Sequence, residues 1–294
     1  MIPLSKSLKV LIFTKRSAYQ AYFQEYQGLP IQKLLRSGDK GLLHIRRTHS
    51  AHYETLRHVK KTLKAHKLPF EVRFRGQKFD ARRYDLVITV GGDGTFLEAS
   101  QGIRDGLILG VNSDPNHSVG NFTVSDRERF AKNVESFLLG KYFVEKLNRL
   151  EARVGDKLLP IPALNEILVS HASPAAMSHY VLKVGSVSER QRSSGVWIST
   201  AVGSTAAARS AGGKVLPKHS RSIQYVPREL FDGHGVCYKL KGGILTPGRS
   251  VTVISQMQEG MIYMDGSHHS FAFRYGQELK VSCGPFLRSV HFKT

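Results

Sequence analysis

The sequence predicts an α/β domain with a parallel sheet, followed by a domain made mostly of β-strands. In the first half, short apolar runs typical of buried strands alternate with helical patterns, as the crossover connections of a parallel sheet require. The apolar runs are Leu8–Phe13, Phe70–Phe74, Tyr84–Val90 and Gly106–Val111. Apolar residues recur at helical spacing over Ala51–His66, and a shorter helical stretch covers Phe96–Gln101. The polar, irregular residues Ala18–Thr48 predict a loop or insertion.

The pattern changes near residue 148, after which strand-like runs are separated by glycines and turn residues. These runs are Glu151–Val154, Ala163–Ser170, Tyr180–Val184, Val196–Ser199, Ser250–Ser255, Met261–Met264 and Glu278–Ser282. The clear helix candidate of this half is Thr205–Ala211. We therefore place the α/β domain at residues 1–147 and the β-rich domain at residues 148–279.

The charge of the chain limits the classes of partner. Its 294 residues carry a formal net charge of +20, with 43 Lys and Arg against 23 Asp and Glu. Such a charge attracts polyanions, but a dedicated nucleic-acid module concentrates its charge in one stripe or helix. The basic residues here are dispersed, so no nucleic-acid partner is expected. Membrane helices need roughly 18 consecutive apolar residues, and neither such a run nor a signal peptide is evident. We expect a cytoplasmic protein that does not bind membranes.

A glycine-rich segment, Gly91-Gly-Asp-Gly-Thr95, follows a predicted buried strand and precedes a helical stretch. Glycines let backbone N–H groups approach phosphate oxygens closely, and the start of a helix adds its positive dipole end. A carboxylate near phosphates is unfavourable unless it acts on a substrate. Asp93 is therefore a candidate for accepting a proton from a hydroxyl, for orienting it, or for helping to hold Mg²⁺. The alternative is a tight turn in which Asp93 caps the helix.

Two polar residues, Asn165 and Glu166, interrupt the apolar run Ala163–Ser170. Polar groups in a buried strand need hydrogen-bond partners. The amide offers donors and an acceptor, and the carboxylate offers acceptors, so together they suit ribose hydroxyls or an adenine edge. The alternative is an edge strand with one solvent-exposed face.

A third motif spans Gly195–Gly213, in which an apolar strand leads into Ser-Thr-Ala-Val-Gly-Ser-Thr and then a helix of small residues. Hydroxyl groups cluster where this helix is predicted to begin, at Ser199, Thr200, Ser204 and Thr205. The following alanines indicate close approach of another backbone or of a flat ligand ring. The alternative is simple capping of a tightly packed helix by Ser204.

The order of these three motifs resembles the NAD kinase family, which carries a GGDGT loop, an Asn-Glu or Asn-Asp pair, and a segment close to DGxxxSTPTGSTAYxxSAGG. Two further segments fit, because Leu109-Gly-Val-Asn112 is similar to the LGVN strand end of that family and Met264-Asp-Gly266 to its late Asp-Gly turn. The similarity runs from about Tyr84 to the C-terminus. GGDGT alone is shared with lipid kinases, whereas the ordered set is far more specific.

The resemblance implies an N-terminal Rossmann-like domain with a parallel sheet, a C-terminal β-rich, β-sandwich-like domain, and a tail of about residues 280–294 that returns to the first domain. It also implies transfer of the terminal phosphate of ATP, or of polyphosphate, to the 2′-hydroxyl of the adenosine ribose of NAD, giving NADP. Mg²⁺ is expected to accompany ATP, without a metal site of the protein's own. A homodimer or homotetramer is expected.

The same resemblance assigns roles to individual residues. Asp93 becomes the catalytic residue beside the attacking hydroxyl. The remaining site residues surround the phosphates (Gly91, Gly92, Gly94 and Thr95), hold NAD (Asn165 and Glu166) and line the adenine (Thr200, Ser204, Thr205 and Ala206).

The chain departs from the family pattern at four places. Ser194 replaces the Asp that precedes the glycine of the third motif, Ala201-Val202 replaces Pro-Thr, and Ala207 replaces a Tyr expected to stack on a base. Asn112–Ser118 replaces the Asn-Leu-Gly-Arg-Leu-Gly-Phe that often follows the LGV strand end. The glycine-rich loop itself is intact.

Two other functions are compatible with parts of this pattern. A lipid or sugar kinase uses the same GGDGT loop, but the third motif and the absence of amphipathic membrane-binding segments count against it. A non-catalytic nucleotide- or nucleic-acid-binding protein derived from a kinase would explain the charge and the altered third motif. The intact Asp93 counts against that second alternative.

Overall fold

The computed structural model describes residues 8–21, 33, 37, 40–233 and 235–293. These residues form two compact units. Unit 1 contains the described residues up to Glu145 and those from Leu287 onward, and unit 2 contains Lys146–Phe286. The chain leaves unit 1 two residues before the domain boundary placed after residue 147.

The strands of the described residues are, in chain order, β1 (Val10–Thr14), β2 (Phe70–Phe74), β3 (Leu86–Gly91), β4 (Leu107–Asn112), β5 (Ser125–Asp126), β6 (Phe143–Leu147), β7 (Leu150–Val154), β8 (Lys157–Leu158), β9 (Glu166–His171), β10 (Ser178–Val184), β11 (Val187–Ser193), β12 (Val196–Ser199), β13 (Ile223–Pro227), β14 (Gly243–Leu245), β15 (Val251–Ser255), β16 (Gly260–Met264), β17 (Ser270–Ala272), β18 (Glu278–Cys283) and β19 (Leu287–His291). The α-helices that lie wholly within the described residues are α1 (Lys40–Ala65), α2 (Asp93–Gln101), α3 (Phe130–Leu138) and the short α4 (Ala207–Ser210). Short 3₁₀ turns occupy Ala81–Arg83 and Gly203–Thr205. Among the described residues, no helix is both long and apolar enough to cross a bilayer.

Unit 1 is built on a sheet in the order β2-β1-β3-β4-β19-β6, with β5 paired to β4. β1 pairs in parallel with β2 and β3, and β4 pairs in parallel with β3, β5 and β19. The chain adds β2 on one side of β1 and β3 on the other, so the strand order reverses between β1 and β3. Ligands of open parallel sheets bind at the carboxyl ends of the strands beside such a reversal.

The central strands β1, β3 and β4 are apolar and almost wholly buried, as expected when both faces of a parallel sheet are covered. On α1, Leu56, Val59 and Leu63 are buried at helical spacing, as the amphipathic pattern predicts. One cluster joins two helices to the sheet through Leu56, Val59, Leu63, Phe130, Val134, Phe137, Ile12, Ile88 and Leu109. The predicted α/β domain with a parallel sheet is confirmed.

Helix α1 begins at Lys40, earlier than the predicted helix that starts at Ala51. The prediction of a loop or insertion over Ala18–Thr48 is therefore wrong for its last nine residues, and also for Ala18–Ala21, which are helical. Residues 43–50 are exposed or half-buried and mostly polar, so they show no apolar periodicity, and the helix extends beyond its packed segment. Residues 22–32, 34–36, 38 and 39, which the same prediction covered, lie outside the described residues.

A buried histidine on α1 joins the segments that follow β1 and β4. His52 is 1% exposed, and its Nε2 lies 3.0 Å from the carbonyl oxygen of Lys15 while its Nδ1 lies 2.9 Å from the hydroxyl of Ser113. Because a carbonyl only accepts, Nε2 carries the proton and Nδ1 accepts from Ser113. Burial, with the nearby charge of Lys15, lowers the pKa of His52 to about 4. The imidazole is therefore neutral at physiological pH.

Unit 2 is a sandwich of two antiparallel sheets. Their strand orders are β11-β10-β15-β18-β7-β8 and β14-β13-β12-β9-β16-β17. The core between them is formed by alternating residues of both sheets, among them Leu182, Val253, Val281, Val169, Ile198 and Ile262. The predicted β-rich, sandwich-like domain is confirmed.

Three further features of the predicted elements, all after residue 148, differ from the structure. The run predicted as a strand from Ala163 to Ser170 is a strand only from Glu166 onward. The helix predicted over Thr205–Ala211 is reduced to α4. The return to unit 1 begins at Leu287 rather than near residue 280, because β18 pairs with β7 and β15 inside unit 2.

We expect the substitution His52→Asn to reduce the dependence of stability on pH. The folded pKa lies below the ordinary value of about 6.5, so the wild-type protein loses stability as pH falls through the window from 6.5 to 4. Between pH 7 and pH 5 this histidine accounts for a loss of about 2 kcal/mol in the free energy of unfolding. Urea denaturation at both pH values measures it, with the exposed His268→Asn as control. Equal pH dependence in wild type and His52→Asn would contradict the assignment.

Candidate active site

The carboxyl ends of four parallel strands present polar residues at one edge of the unit 1 sheet. Lys15 follows β1, Arg75 follows β2, the glycine-rich segment ends β3 and begins α2, and Asn112 ends β4. This edge includes the reversal between β1 and β3. The predicted phosphate loop therefore lies where a parallel sheet binds its ligand.

The glycine-rich loop leads directly from strand to helix. β3 ends at Gly91, Gly92 is the N-cap of α2, and Asp93 is the first helical residue. The N-cap makes no side-chain hydrogen bond, so Asp93 does not cap the helix. The alternative interpretation of Asp93 as a cap is therefore wrong.

The three glycines of this loop differ in what surrounds them. A Cβ atom on Gly91 would lie 2.3 Å from the hydroxyl of Thr95, and one on Gly92 would lie 2.5 Å from the hydroxyl of Ser118. Among the described residues, a Cβ atom on Gly94 would meet only Nη1 of Arg75, at 3.6 Å. Gly91 and Gly92 are thus required by packing inside the protein, whereas exposed Gly94 leaves space at the helix start.

The carboxylate of Asp93 is held by two backbone donors. Its Oδ2 accepts from the N–H of Asn121 at 3.0 Å, and its Oδ1 accepts from the N–H of Phe122 at 2.9 Å. A carboxylate has about four lone-pair positions, so each oxygen can still accept a hydroxyl hydrogen. Asp93 is half-buried. It therefore presents a fixed carboxylate beside the space at Gly94.

The segment that departs from the family pattern after β4 packs against the glycine-rich loop. The side-chain amide of Asn112 donates to the carbonyl of Ser118, which folds the segment back on itself. Ser118 then fills the space beside Gly92. Close to these residues, the Thr95 hydroxyl is buried and has no hydrogen-bond partner in the described structure. An unsatisfied buried hydroxyl at a helix start can donate to a bound anion.

In unit 2, the carboxylate of Asp265 organises the Asn-Glu pair. It accepts from the N–H groups of Leu164 at 2.7 Å, Asn165 at 2.7 Å and Glu166 at 3.1 Å. Because these N–H groups bond to a carboxylate, Asn165 lies in a bend before β9, and its predicted place inside the strand is wrong. Asp265 has φ of 51°, a left-handed conformation that aspartate tolerates better than most residues.

The side chains of Asn165 and Glu166 are both buried, and each has one oxygen without a hydrogen-bond partner among the described residues. Asn165 is 9% and Glu166 7% exposed, and no described residue bonds to Asn165 Oδ1 or Glu166 Oε2. Burial, together with the charge of Asp265, raises the pKa of Glu166 to about 8. The free protein at pH 7 therefore holds Glu166 mostly protonated, able to donate as well as to accept a hydrogen bond.

The third motif packs tightly on the second. Thr200 donates its hydroxyl to the carbonyl of Leu164, and its N–H bonds to the carbonyl of Asn165. A Cβ atom on Gly203 would lie 2.0 Å from that same Asn165 carbonyl. The structure thus brings the Asn-Glu pair, Asp265 and the start of the third motif together within unit 2.

The hydroxyls predicted to line the adenine have different partners. Ser204 donates to the carbonyl of Ala201 and accepts from the N–H of Leu216, so both functions of its hydroxyl are used inside the protein. Neither Gly203–Thr205 nor α4 has a side-chain cap, so Ser204 does not cap a helix. Thr205 is exposed, Ala206 is half-buried, and neighbouring Ser199 keeps a buried hydroxyl without a partner among the described residues.

A cavity of about 450 Å³ opens on the outer face of one unit 2 sheet. Leu168, Trp197 and Tyr263 lie side by side on β9, β12 and β16 and form its apolar floor. Arg228 lies over the Trp197 ring, 5.8 Å from the centroid. Ser194, which replaces the aspartate of the family pattern, lines this cavity. That replacement therefore changes the polarity of the cavity and leaves the Asn-Glu pair unchanged.

Sequence reasoning did not include Asp265, Ser199, Lys15 or Arg75 among the site residues. The Asp-Gly turn at Asp265 was a usable signal, because aspartate before glycine is common where the backbone turns sharply. For Lys15 and Arg75 the only usable signal was their position, since each directly follows a parallel strand. Among the described residues, no group of three or more His, Cys, Asp or Glu side chains forms a metal site.

A glycine-rich loop at the reversal point of a parallel sheet, with a fixed carboxylate beside open space, defines a nucleotide-binding phosphotransferase. A family model described as the ATP-NAD kinase N-terminal domain matches residues 39–142. A probable NADH kinase of Oryza sativa subsp. japonica is 34% identical over 229 residues, which cover 70% of this chain and 70% of the relative. An NAD kinase of Archaeoglobus fulgidus is 31% identical over 218 residues, covering 73% of this chain and 82% of the relative.

A solved structure supports the same fold. The crystal structure of an NAD kinase from Archaeoglobus fulgidus in complex with ATP matches with a TM-score of 0.69 at 23% identity, covering 97% of this chain and 94% of that chain. Together with the sequence relatives, this places the chain in the NAD kinase family, to which it belongs. The family predicted from the ordered motifs is confirmed.

We expect the substitution Gly91→Ala to destabilise the protein and the substitution Gly94→Ala to leave its stability unchanged or raise it. The methyl group at position 91 would overlap the Thr95 side chain, at a cost of about 1–3 kcal/mol in the free energy of unfolding. The methyl group at position 94 meets open space in the first turn of α2, so the variant is as stable as wild type or up to about 1 kcal/mol more stable. Chemical denaturation measures both variants. An equal loss at both positions would contradict the packing described here.

We expect the Glu166→Gln protein to become more stable relative to wild type as pH rises, because only wild type loses stability over this range. The folded pKa of about 8 lies above the ordinary value, so wild type loses stability from pH 4.5 up to pH 8 as the buried carboxyl is forced to ionise. Between pH 5 and pH 7 this loss is on the order of 2 kcal/mol, and glutamine does not share it. Urea denaturation without ligand compares the two proteins, with exposed Glu229→Gln as control. A wild-type curve parallel to that of Glu166→Gln would show that Glu166 is already ionised.

Proposed function

We propose that this chain transfers the terminal phosphate of ATP to the 2′-hydroxyl of the adenosine ribose of NAD and so forms NADP. The observation that carries the proposal is the Asp93 carboxylate, fixed by two backbone N–H groups beside the open space at Gly94. The chain belongs to a family whose members include the NAD kinases of Methanothermobacter thermautotrophicus and Archaeoglobus fulgidus. The lipid or sugar kinase and the non-catalytic protein are not favoured by these relatives.

The chemistry asks little of the protein beyond positioning and charge stabilisation. Asp93 accepts the proton of the 2′-hydroxyl as the ribose oxygen forms its bond to the terminal phosphorus. The bond from that phosphorus to its bridging oxygen breaks, and ADP leaves with the electron pair. A fixed carboxylate suits this role because its oxygens need no rearrangement when the hydroxyl arrives.

The phosphate chain is proposed to lie against the start of α2. Gly94 leaves room for it, the Thr95 hydroxyl lacks a partner among the described residues, and the first turn of a helix favours anions. Gly91 and Gly92 contribute by allowing Thr95 and Ser118 to pack closely, which holds the loop in shape.

The acceptor nucleoside is proposed to bind at the Asn-Glu pair of unit 2. Asn165 Oδ1 and Glu166 Oε2 are buried and unsatisfied in the described structure, and ribose hydroxyls would supply their missing hydrogen bonds. The hydroxyls of Thr200 and Ser204 bond to backbone groups of the chain. These two residues are therefore proposed to shape the site by fixing the backbone and not by contacting the ligand. Thr205 and Ala206, which have exposed or half-buried surface, are proposed to line the adenine.

Mg²⁺ is proposed to enter with ATP, because Mg²⁺ commonly binds through substrate phosphates and one or two carboxylates. Asp93 is the carboxylate of the glycine-rich loop, and the described residues hold no cluster of three metal-binding side chains. The bound ion would neutralise phosphate charge. The proposal also includes a cytoplasmic location and a homodimer or homotetramer.

NADH is a second candidate acceptor. The relatives of Oryza sativa and Arabidopsis thaliana, at 34% and 35% identity, are named probable NADH kinase and NADH kinase. The two acceptors differ only in the nicotinamide ring, remote from the reacting ribose, so Asp93 would serve both. Assays with each acceptor separate the two candidates.

We expect the substitution Asp93→Asn to lower kcat by about 10²–10⁴-fold, as loss of a general base does. The assay measures NADP formed from ATP and NAD, and NADPH formed from ATP and NADH, with Mg²⁺ present. The matched control is Asp126→Asn, because Asp126 also holds two backbone N–H groups, those of Glu128 and Arg129. Asp126→Asn is expected to keep wild-type turnover.

Two outcomes would contradict the proposal. Wild-type protein that forms neither product excludes the function itself. Retention of more than roughly a tenth of wild-type kcat by a folded Asp93→Asn protein lies outside the range for a general base and excludes the role of Asp93.

A further inference from the structure

Two cations lie at the carboxyl edge of the unit 1 sheet, beside the glycine-rich loop. Lys15 directly follows β1 and Arg75 directly follows β2, which are neighbours in the sheet. The N–H of Arg75 bonds to the carbonyl of Thr14 at 2.8 Å, which continues the pairing of these strands. The Nη1 atom of Arg75 is the nearest atom to the open space at Gly94. Both cations therefore border the reversal point where the phosphate loop lies.

Arg75 is held in place by a carboxylate on α2. Its Nε donates to Glu98 Oε2 at 2.7 Å, and Glu98 Oε1 accepts from the N–H of Gly76 at 2.5 Å. The side chain of Glu98 is 15% exposed and that of Arg75 is 32% exposed, so this contact is partly shielded from water. Within the described structure no acceptor bonds to the Nη atoms of Arg75. The bond from Nε to Glu98 thus fixes the orientation of the guanidinium group, and its Nη1 atom lies next to Gly94.

Lys15 is half-buried next to this arginine and forms no ion pair with another described residue. Burial and the charge of Arg75 lower the pKa of Lys15, and the more weakly acting carboxylate of Asp114 raises it. The backbone of Lys15 is fixed by His52, which donates to its carbonyl. Two like charges held together in a half-buried place repel each other unless an anion lies between them.

We propose that Lys15 and Arg75 bind the terminal phosphates of the phosphoryl donor and neutralise the charge that they carry during transfer. This inference rests on the function proposed above. The phosphate chain would replace the missing counter-charge of Lys15 and accept from the Nη donors of Arg75, in the bidentate geometry that guanidinium groups form with phosphate. Cations placed at the transferring group stabilise its transition state as well as its ground state.

The main variant is Lys15→Met, which removes the charge and breaks no ion pair. Its matched control is Lys9→Met, which removes the same charge just before the opposite end of β1. Arg75→Met is paired with Arg82→Met, because Arg82 is also bonded to a carboxylate, that of Asp80, but is exposed. Arg75→Lys keeps the charge and a bond partner for Glu98, and therefore tests the arginine without removing the cation beside that half-buried carboxylate.

Steady-state kinetics with ATP and with polyphosphate as donors give the first readout. We expect Lys15→Met and Arg75→Met to raise the KM for either donor by about tenfold or more, as loss of a charged hydrogen bond does. The KM for NAD is expected to stay at its wild-type value, and Arg75→Lys is expected to recover part of the loss. The two control variants are expected to behave as wild type.

Calorimetric titration with inorganic tripolyphosphate gives the second readout and needs no turnover. Wild type and the controls are expected to bind it, and Lys15→Met to bind it about tenfold more weakly. If wild type forms neither NADP nor NADPH, the proposed function fails while this titration still tests the cation pair. An unchanged donor KM and unchanged tripolyphosphate binding in folded variants would overturn the inference. So would a rise confined to the KM for NAD.

Discussion

In both units a carboxylate accepts backbone N–H groups of a distant loop, and the candidate residues of each unit depend on these bonds. Asp93 holds Asn121 and Phe122, and Asp265 holds Leu164 through Glu166. A carboxylate bonded in this way fixes two segments at once, because its own orientation and the path of the partner loop are determined together. In unit 1 the result is an oriented carboxylate beside open space. In unit 2 the result is a bend that keeps Asn165 out of the strand and places Glu166 at the start of β9.

The burial of charge in unit 2 has an electrostatic consequence for the same residues. Asp265 has hydrogen-bond donors that support its ionised form, whereas the free oxygen of Glu166 has none among the described residues. Two carboxyl groups close together in a buried place do not both ionise easily, so the proton stays on the group with fewer donors. The sequence pattern indicated an ionised acceptor at Glu166. The structure instead holds a neutral acid, with its pKa raised to about 8, in the ligand-free protein.

Local patterns predicted most of the fold, and contacts between distant residues account for what they missed. Buried runs such as Val196–Ser199 were recognisable because apolar side chains alternate or cluster at strand period. Val187–Ser193 is also a strand, but it lies at a sheet edge with polar, alternately exposed side chains and gave no apolar signal. Asn165 was placed in a strand because nothing nearby indicates that Asp265, one hundred residues later, captures its N–H. The site residues inferred from the motifs remain predictions, and Lys15 and Arg75 became visible only once strand order was known.

The position of β19 affects how the protein can form during synthesis. This strand comes from residues 287–291, yet it lies between β4 and β6 in a sheet whose other members come from the first half of the chain. Its partner β4 leads into the segment that packs on the glycine-rich loop. During synthesis on the ribosome, the residues of unit 2 are therefore made before β19, and until then the sheet of unit 1 lacks the strand between β4 and β6. The sheet of unit 1 can therefore reach its observed strand order only after residues 287–291 have left the exit tunnel.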